Sequence, residues 1–208
     1  MTRGTRKRLS GWERRSQLIE IGRSVFAERG YDGTSVEEVA DRAKISKPVV
    51  YDHFGGKQGL YAVIVDREMD HVTEEITRAI SKGTPRERLE KAVMAFLVYA
   101  KERPDGFAVL SRDSPMGIGM TNLLAEVAVR VGDVFASEFK KLGYDEKSSP
   151  IYAQGLIGMV TFAAQWWREN PGTPIEQVAS HVVALSWSGL RNLPKEPDRP
   201  HQQPASTT

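Results

Sequence analysis

Residues 45–54 read "ISKPVVYDHF", and the character of this short stretch decides how the chain is to be folded. Lys47 and Pro48 open a helical segment, where the N–H that proline lacks has no intrahelical partner to lose. Val49, Val50 and Tyr51 follow, then His53 and Phe54. A core helix would not begin with a lysine and carry Asp52 in its middle. A fully solvated helix would not hold two valines, a tyrosine and a phenylalanine. One side of this segment needs an apolar core, and the other needs a partner besides water.

Just upstream, Val36, Val39, Ala40 and Ala43 have helical spacing, and only Lys44, Ile45 and Ser46 separate that helix from the next. So short a link prevents the two helices from lying side by side and predicts a helix-turn-helix. Leu18, Ile21, Val25 and Phe26 form the stripe of an earlier helix over about 12–29, which supplies the third wall of a small core. Val39, Ala40, Ile45, Val50 and Phe54 are expected to point into that core. Lys47, Pro48, Val49 and Tyr51 then lie exposed together, at the end of the second helix that enters a DNA major groove in this motif. Proline and valine suit thymine methyls there, and lysine suits guanine or phosphate. Tyr51 and His53 have polar tips for phosphate oxygens, contacts that position without specifying sequence. Lys57 follows Gly55–Gly56 at the start of a long helix, where its charge adds to free backbone amides.

The remaining chain is helical throughout. Ser10/Glu13, Ser35/Glu38, Thr84/Glu87 and Thr173/Glu176 have the spacing of capping boxes. Pro85 and Pro174 stand at first helical positions, and Ser114–Pro115 and Ser149–Pro150 repeat the order of cap and proline. No run alternates apolar and polar residues between hairpin turns. The expectation is an all-α chain of about nine helices. The domains expected are a helix-turn-helix module with a basic arm over 1–57, a helical body over 58–193, and a Pro-, Gln- and Thr-rich disordered tail over 194–208.

Charge and composition narrow the function. Residues 1–57 hold twelve Lys and Arg against eight Asp and Glu, a formal +4 within a chain of +2. Arg3, Arg6, Lys7 and Arg8 form an arm that either solubilises or tracks the DNA backbone. Cysteine is absent, which removes disulfides, thiolate nucleophiles and cysteine zinc sites, and suits a reducing compartment. No stretch approaches the roughly 18 apolar residues of a membrane span, and no apolar run follows the charged start, so a cytoplasmic location away from membranes is expected. Glu68-x-x-His71 is the unit used by di-metal helical bundles, but no second such pair occurs. Neither a G-x-S-x-G nucleophile turn nor a phosphate-cradling glycine loop is present. The reading is therefore non-enzymatic, with no cofactor and no metal.

The stretch "TSVEEVADRAKISKPVVYDHFGGKQGLY" resembles the signature of the TetR/AcrR family of bacterial transcriptional regulators. Thr34–Ser35, Ser46–Lys47, Val50–Tyr51, His53–Phe54 and Lys57 match it over about 50 residues. One departure is Lys44, which replaces the turn glycine and places an extra cation near the phosphates. The resemblance implies contacts to double-stranded operator DNA from Thr34, Ser35, Lys44, Ser46, Lys47, Pro48, Val49, Tyr51, His53 and Lys57. It also implies a homodimer with two recognition helices about 34–36 Å apart, built by the last two helices as a four-helix bundle. Gly155 and Gly158 permit close approach there, and Val178, Val182, Leu185 and Leu190 give an apolar stripe.

The family binds a small effector in its middle region. Phe96, Tyr99, Phe107, Met116, Met120, Leu123, Met159, Phe162 and Trp166 are candidates for that site, although such residues at helical spacing equally serve as plain core. Few charges fall inside these helices, which points to a hydrophobic effector. "ERRSQLIEIGRSVFAERGY", "SKPVVYDHF" and "WSGLRNLP" are also similar to actinobacterial lipid-metabolism regulators that sense acyl-CoA, which makes an acyl chain the candidate. The reading is a repressor released from its operator by such a molecule, with the long helix from Lys57 as lever. A helical carrier of apolar ligands is the rival, and it would leave the 47–57 constellation without a purpose.

Overall fold

The computed structural model describes residues 9–111 and 120–195, the side chains of 120–124 and 126 excepted. The arm, Ser114–Pro115, Met116 and the tail from 196 lie outside these residues, as do the side chains of Met120 and Leu123. Nine α-helices and one 3-10 turn are present among the described residues, and no strand.

Helix α1 (Gly11–Gly33) starts at a complete capping box, with Glu13 N–H donating to Ser10 and Glu13 accepting from the Ser10 N–H. It breaks at Gly30, whose φ of 72° only glycine adopts readily. Helices α2 (Val36–Ala43) and α3 (Lys47–Phe54) follow, then the long α4 (Lys57–Ala79), α5 (Pro85–Glu102) and α6 (Pro104–Ser111). Helices α7 (Met120–Leu142), α8 (Ser149–Glu169) and α9 (Ile175–Arg191) complete the body. The inner face of α1, with Leu18, Val25 and Phe26, is buried, and α1 packs against α2, α4 and α6. Fully burying one such side chain contributes about 1.5–3 kcal/mol. Further pairings, α4 with α5, α5 with α9 and α7 with α8, close the body. Among the described residues no helix is long and apolar enough to cross a membrane.

Two expected helix starts differ. Helix α9 begins at Ile175, with Pro174 as the cap residue and no side-chain cap. Thr173 is held in the preceding turn instead, its carbonyl accepting the indole N–H of Trp167 at 2.8 Å. Helix α8 begins at Ser149, one residue before the expected start, because the 3-10 turn Glu146–Ser148 runs directly into it. At Ser35 the cap is one-sided. Its hydroxyl accepts from Glu38 N–H, while the Glu38 carboxylate goes to Arg42.

Lys44 adopts φ 55°, ψ 47°, and is the one non-glycine residue with positive φ among those described. Its N–H donates to Asp41 O and the Ile45 N–H to Ala40 O, a Schellman closure of α2. The missing glycine thus leaves the turn intact at a steric cost of about 1 kcal/mol. Lys44→Gly is expected to raise stability by about 0.5 kcal/mol once the freer unfolded chain is included, or roughly 1–2 °C in Tm. Calorimetry showing an equal or lower Tm would mean that the left-handed lysine carries no strain.

Candidate nucleic-acid interface and effector cavity

The turn at Lys44 aims α3 across α2, with Val50 fully buried and Ile45 and Phe54 packed against the core. The opposite side of α3 faces solvent. Ser46, Lys47, Pro48 and Tyr51 are exposed there, Tyr51 by 46%, and Val49 is half-buried among them. Ser46 caps α3 without a side-chain hydrogen bond, so its hydroxyl is unused by the helix. Lys47 lies 5.8 Å from the Tyr51 ring centroid. It also pairs with Glu37, in the first turn of α2, and that hydrogen bond holds its ammonium pKa above the usual value. Arg15 of α1 donates to the carbonyl of His53 at 2.7 Å and lies over the Phe54 ring, fastening the far end of α3.

Lys57 stands at the start of α4, a helix with no acidic residue in its first turn and no side-chain cap. Its ammonium lies 4.4 Å above the Tyr31 ring and donates to Asp32 O at 3.3 Å. Thr34 departs from expectation. It is buried, and its hydroxyl donates to Gly30 O at 2.7 Å. Thr34 thus braces the break in α1 with its hydroxyl, leaving Ser35 exposed beside it. The structure brings Ser35, Lys44, Ser46, Lys47, Pro48, Val49, Tyr51, His53 and Lys57 onto one module.

Two residues escaped the sequence reading. Gly59 lets α4 start against α3, because a Cβ there would overlap the carbonyl oxygen of Phe54. A glycine inside a helical pattern is the signal that could have found it. Glu37, an anion beside Lys47, had no signal until the turn placed α2 next to α3.

In the body, an apolar cavity of about 70 Å³ lies between α4, α5, α7 and α8. Val72, Ile76, Val93, Phe96, Val131 and Leu156 are among its walls, and Thr161 supplies the hydroxyl. Of the nominated ligand residues with described side chains, only Phe96 lines it. Tyr99 and Phe107 are buried one layer behind, with Phe96–Phe107 centroids 6.0 Å apart and Tyr99–Phe107 centroids 6.5 Å apart. Met159 faces α9, its sulfur accepting from the Ser186 hydroxyl at 3.4 Å.

Phe162 and Trp166 are exposed by 71% and 51%, so they leave the ligand group altogether. On α8 they share an outer face with Ile151 and Gly155, and on α9 Leu185 is 66% exposed. A Cβ on Gly155 or Gly158 would meet nothing. Val178 and Val182 are corrected in the other direction. They are buried in the chain's own core, and Leu190 packs against it, because α9 turns that side onto α5.

A helix-turn-helix carried on a long-helix body with an apolar cavity between its helices defines an all-α, DNA-reading regulator with a cavity of its own. Residues 18–64 match the family described as bacterial regulatory proteins, tetR family. The chain is 30% identical over 192 residues to the HTH-type transcriptional activator FasR of Mycolicibacterium smegmatis, an overlap of 90% of this chain and 87% of that protein. It is 31% identical over 190 residues to the HTH-type transcriptional repressor KstR2 of Rhodococcus jostii, covering 85% and 91% respectively. A TetR-like transcriptional regulator from Rhodococcus sp. RHA1 superposes with a TM-score of 0.71 at 25% identity, over 89% of this chain and all of that one. The chain belongs to the TetR family of bacterial DNA-binding transcriptional regulators.

Proposed function

We propose that the chain works as a homodimer on a two-half-site operator and is released by a hydrophobic effector, an acyl chain such as that of acyl-CoA. Residues 1–57 act as the reading head, 58–193 as the effector-binding and dimerising body, and 194–208 as a tail. The observation that carries this reading is the open face of α3 in the same chain as an apolar cavity bounded by α4. The two relatives divide between activator and repressor, so release rests on the geometry. A cavity of about 70 Å³ is far below the roughly 300–1,000 Å³ of ordinary ligand pockets. An effector must therefore part α4 and α5 from α7 and α8, and α4 begins beside the recognition helix. Binding that favours the parted state shifts the population away from the DNA-competent one.

Fluorescence anisotropy on the chain's own upstream DNA, across a salt series, tests the reading. Binding is expected to prefer that DNA over random sequence and to weaken steeply with salt. Palmitoyl-CoA is expected to release it where CoA alone does not. Tyr51→Phe and Tyr51→Ala are each expected to lose about 1 kcal/mol per half-site, the worth of a hydrogen bond to a phosphate, and so roughly thirty-fold on two half-sites. Undiminished affinity in both variants, with no preference for upstream DNA, would favour the carrier of apolar ligands.

A further inference from the structure

Glu68 is a carboxylate on the apolar face of α4, between Ile64 and Val72, and is only 2% exposed. Four elements meet at it. Arg103, the residue joining α5 to α6, donates to both oxygens at 3.0 and 2.6 Å. From α1, Arg23 donates at 3.1 Å, and from α5 the Tyr99 hydroxyl donates at 3.2 Å. On α6, Gly106 has no room for a side chain, since a Cβ would overlap the Glu68 carboxylate. Burial alone would raise the carboxyl pKa, but the two guanidiniums more than offset it and hold the group below its usual value.

This cluster stands between the cavity and the reading head. Val72 and Ile76, one and two turns further along α4, line the cavity. On α5, the wall residue Phe96 lies against Tyr99 and Phe107, and Tyr99 carries the hydroxyl that reaches Glu68. Arg23 belongs to α1, whose N-terminal part also fastens α3 through Arg15. We propose that Glu68 is a positioning residue for DNA binding: its carboxylate locks α1 of the head to α4 and to the α5–α6 corner of the body, so that displacement at the cavity becomes displacement of the recognition helix.

A buried ion pair is a costly way to gain stability, because desolvation takes back most of the attraction. Its value here is a discrete geometry that packing of apolar groups alone would leave free to slide. Loss of one partner should therefore loosen the joint before it unfolds the chain.

The chain has no cysteine, so spin labels at Asp41→Cys in α2 and Glu90→Cys in α5 report one head-to-body distance. Mixing with excess unlabelled parent makes the readout a single-chain distance whether or not the protein dimerises. The parent is expected to give one narrow distance. Glu68→Gln, acting from α4, and Gly106→Ala, acting from α6, are each expected to broaden it about two-fold with helical content retained. Glu68→Gln combined with Arg103→Gln is expected to be no worse than either alone, as for groups acting through each other. In anisotropy, the variants should bind a single half-site as the parent does and lose about ten-fold on two half-sites, whereas mere destabilisation would weaken both alike. Unchanged distances in both Glu68→Gln and Gly106→Ala overturn the inference. A parent without preference for upstream DNA would instead overturn the operator reading, and the distances would still decide the role of Glu68.

Discussion

Leu185→Asp, made together with Phe162→Asp, is expected to turn the protein into a folded monomer and to weaken two-half-site binding by about 10²–10⁴-fold. Both residues are more than half exposed on the outer face of α8 and α9, where Gly155 offers a flat approach. Large apolar side chains left exposed on neighbouring helices mark a surface that takes a partner, and a second copy would present the same face across a twofold axis. A carboxylate in the centre of that face would be desolvated without a countercharge. Within one chain the same side chains touch little, so circular dichroism and Tm should hardly change. Sedimentation showing an intact dimer with parental operator affinity would place the interface elsewhere. The roughly thirty-fold loss expected at Tyr51 is smaller because it removes one contact per half-site, whereas dissociation removes the linkage between half-sites.

Gly59→Ala is expected to be the most damaging single methyl in the reading head. The new Cβ would overlap the carbonyl oxygen of Phe54, and backbone has no rotamer by which to yield. Either α4 backs away from α3 or α3 lifts off the core, at about 3 kcal/mol, with Tm falling by roughly 6–12 °C. The better helix propensity of alanine recovers at most about 1 kcal/mol. Gly22→Ala is the control. Its Cβ would come within 3.0 Å of the flexible ends of Ile64 and Leu60, which can shift, so the loss should be smaller. Thermal melts that rank Gly22→Ala as the worse substitution would show that the α3–α4 approach is not rigid.

Much of the architecture was legible locally. Ser10/Glu13 and Thr84/Glu87 close as complete capping boxes, and the three-residue link 44–46 joins α2 to α3 through the turn at Lys44. Capping and turn chemistry act within about five residues, so sequence carries them directly. The exposed face of α3 followed from the same reasoning, because Val50 could have only one side. Sequence could not place the Thr34 hydroxyl, because it suits either DNA or Gly30 O, and in the folded chain the break in α1 takes it up.

What the sequence determined by itself was the class: helices, their order, and the helix-turn-helix with the exposed face of α3. Which side of α8 and α9 is interior was decided only by the tertiary structure. Helix α8 is apolar around most of its circumference, so its period cannot distinguish Trp166 from Trp167 or Phe162 from Thr161. The neighbours settle it. Contact with α5 and α7 buries Ala153, Ile157, Thr161 and Ala164 and leaves Phe162 and Trp166 outside. The Glu68 cluster is likewise a product of the fold, since Arg23, Glu68 and the Tyr99–Arg103 turn are distant from one another in sequence and meet only where α1, α4 and the α5–α6 corner converge.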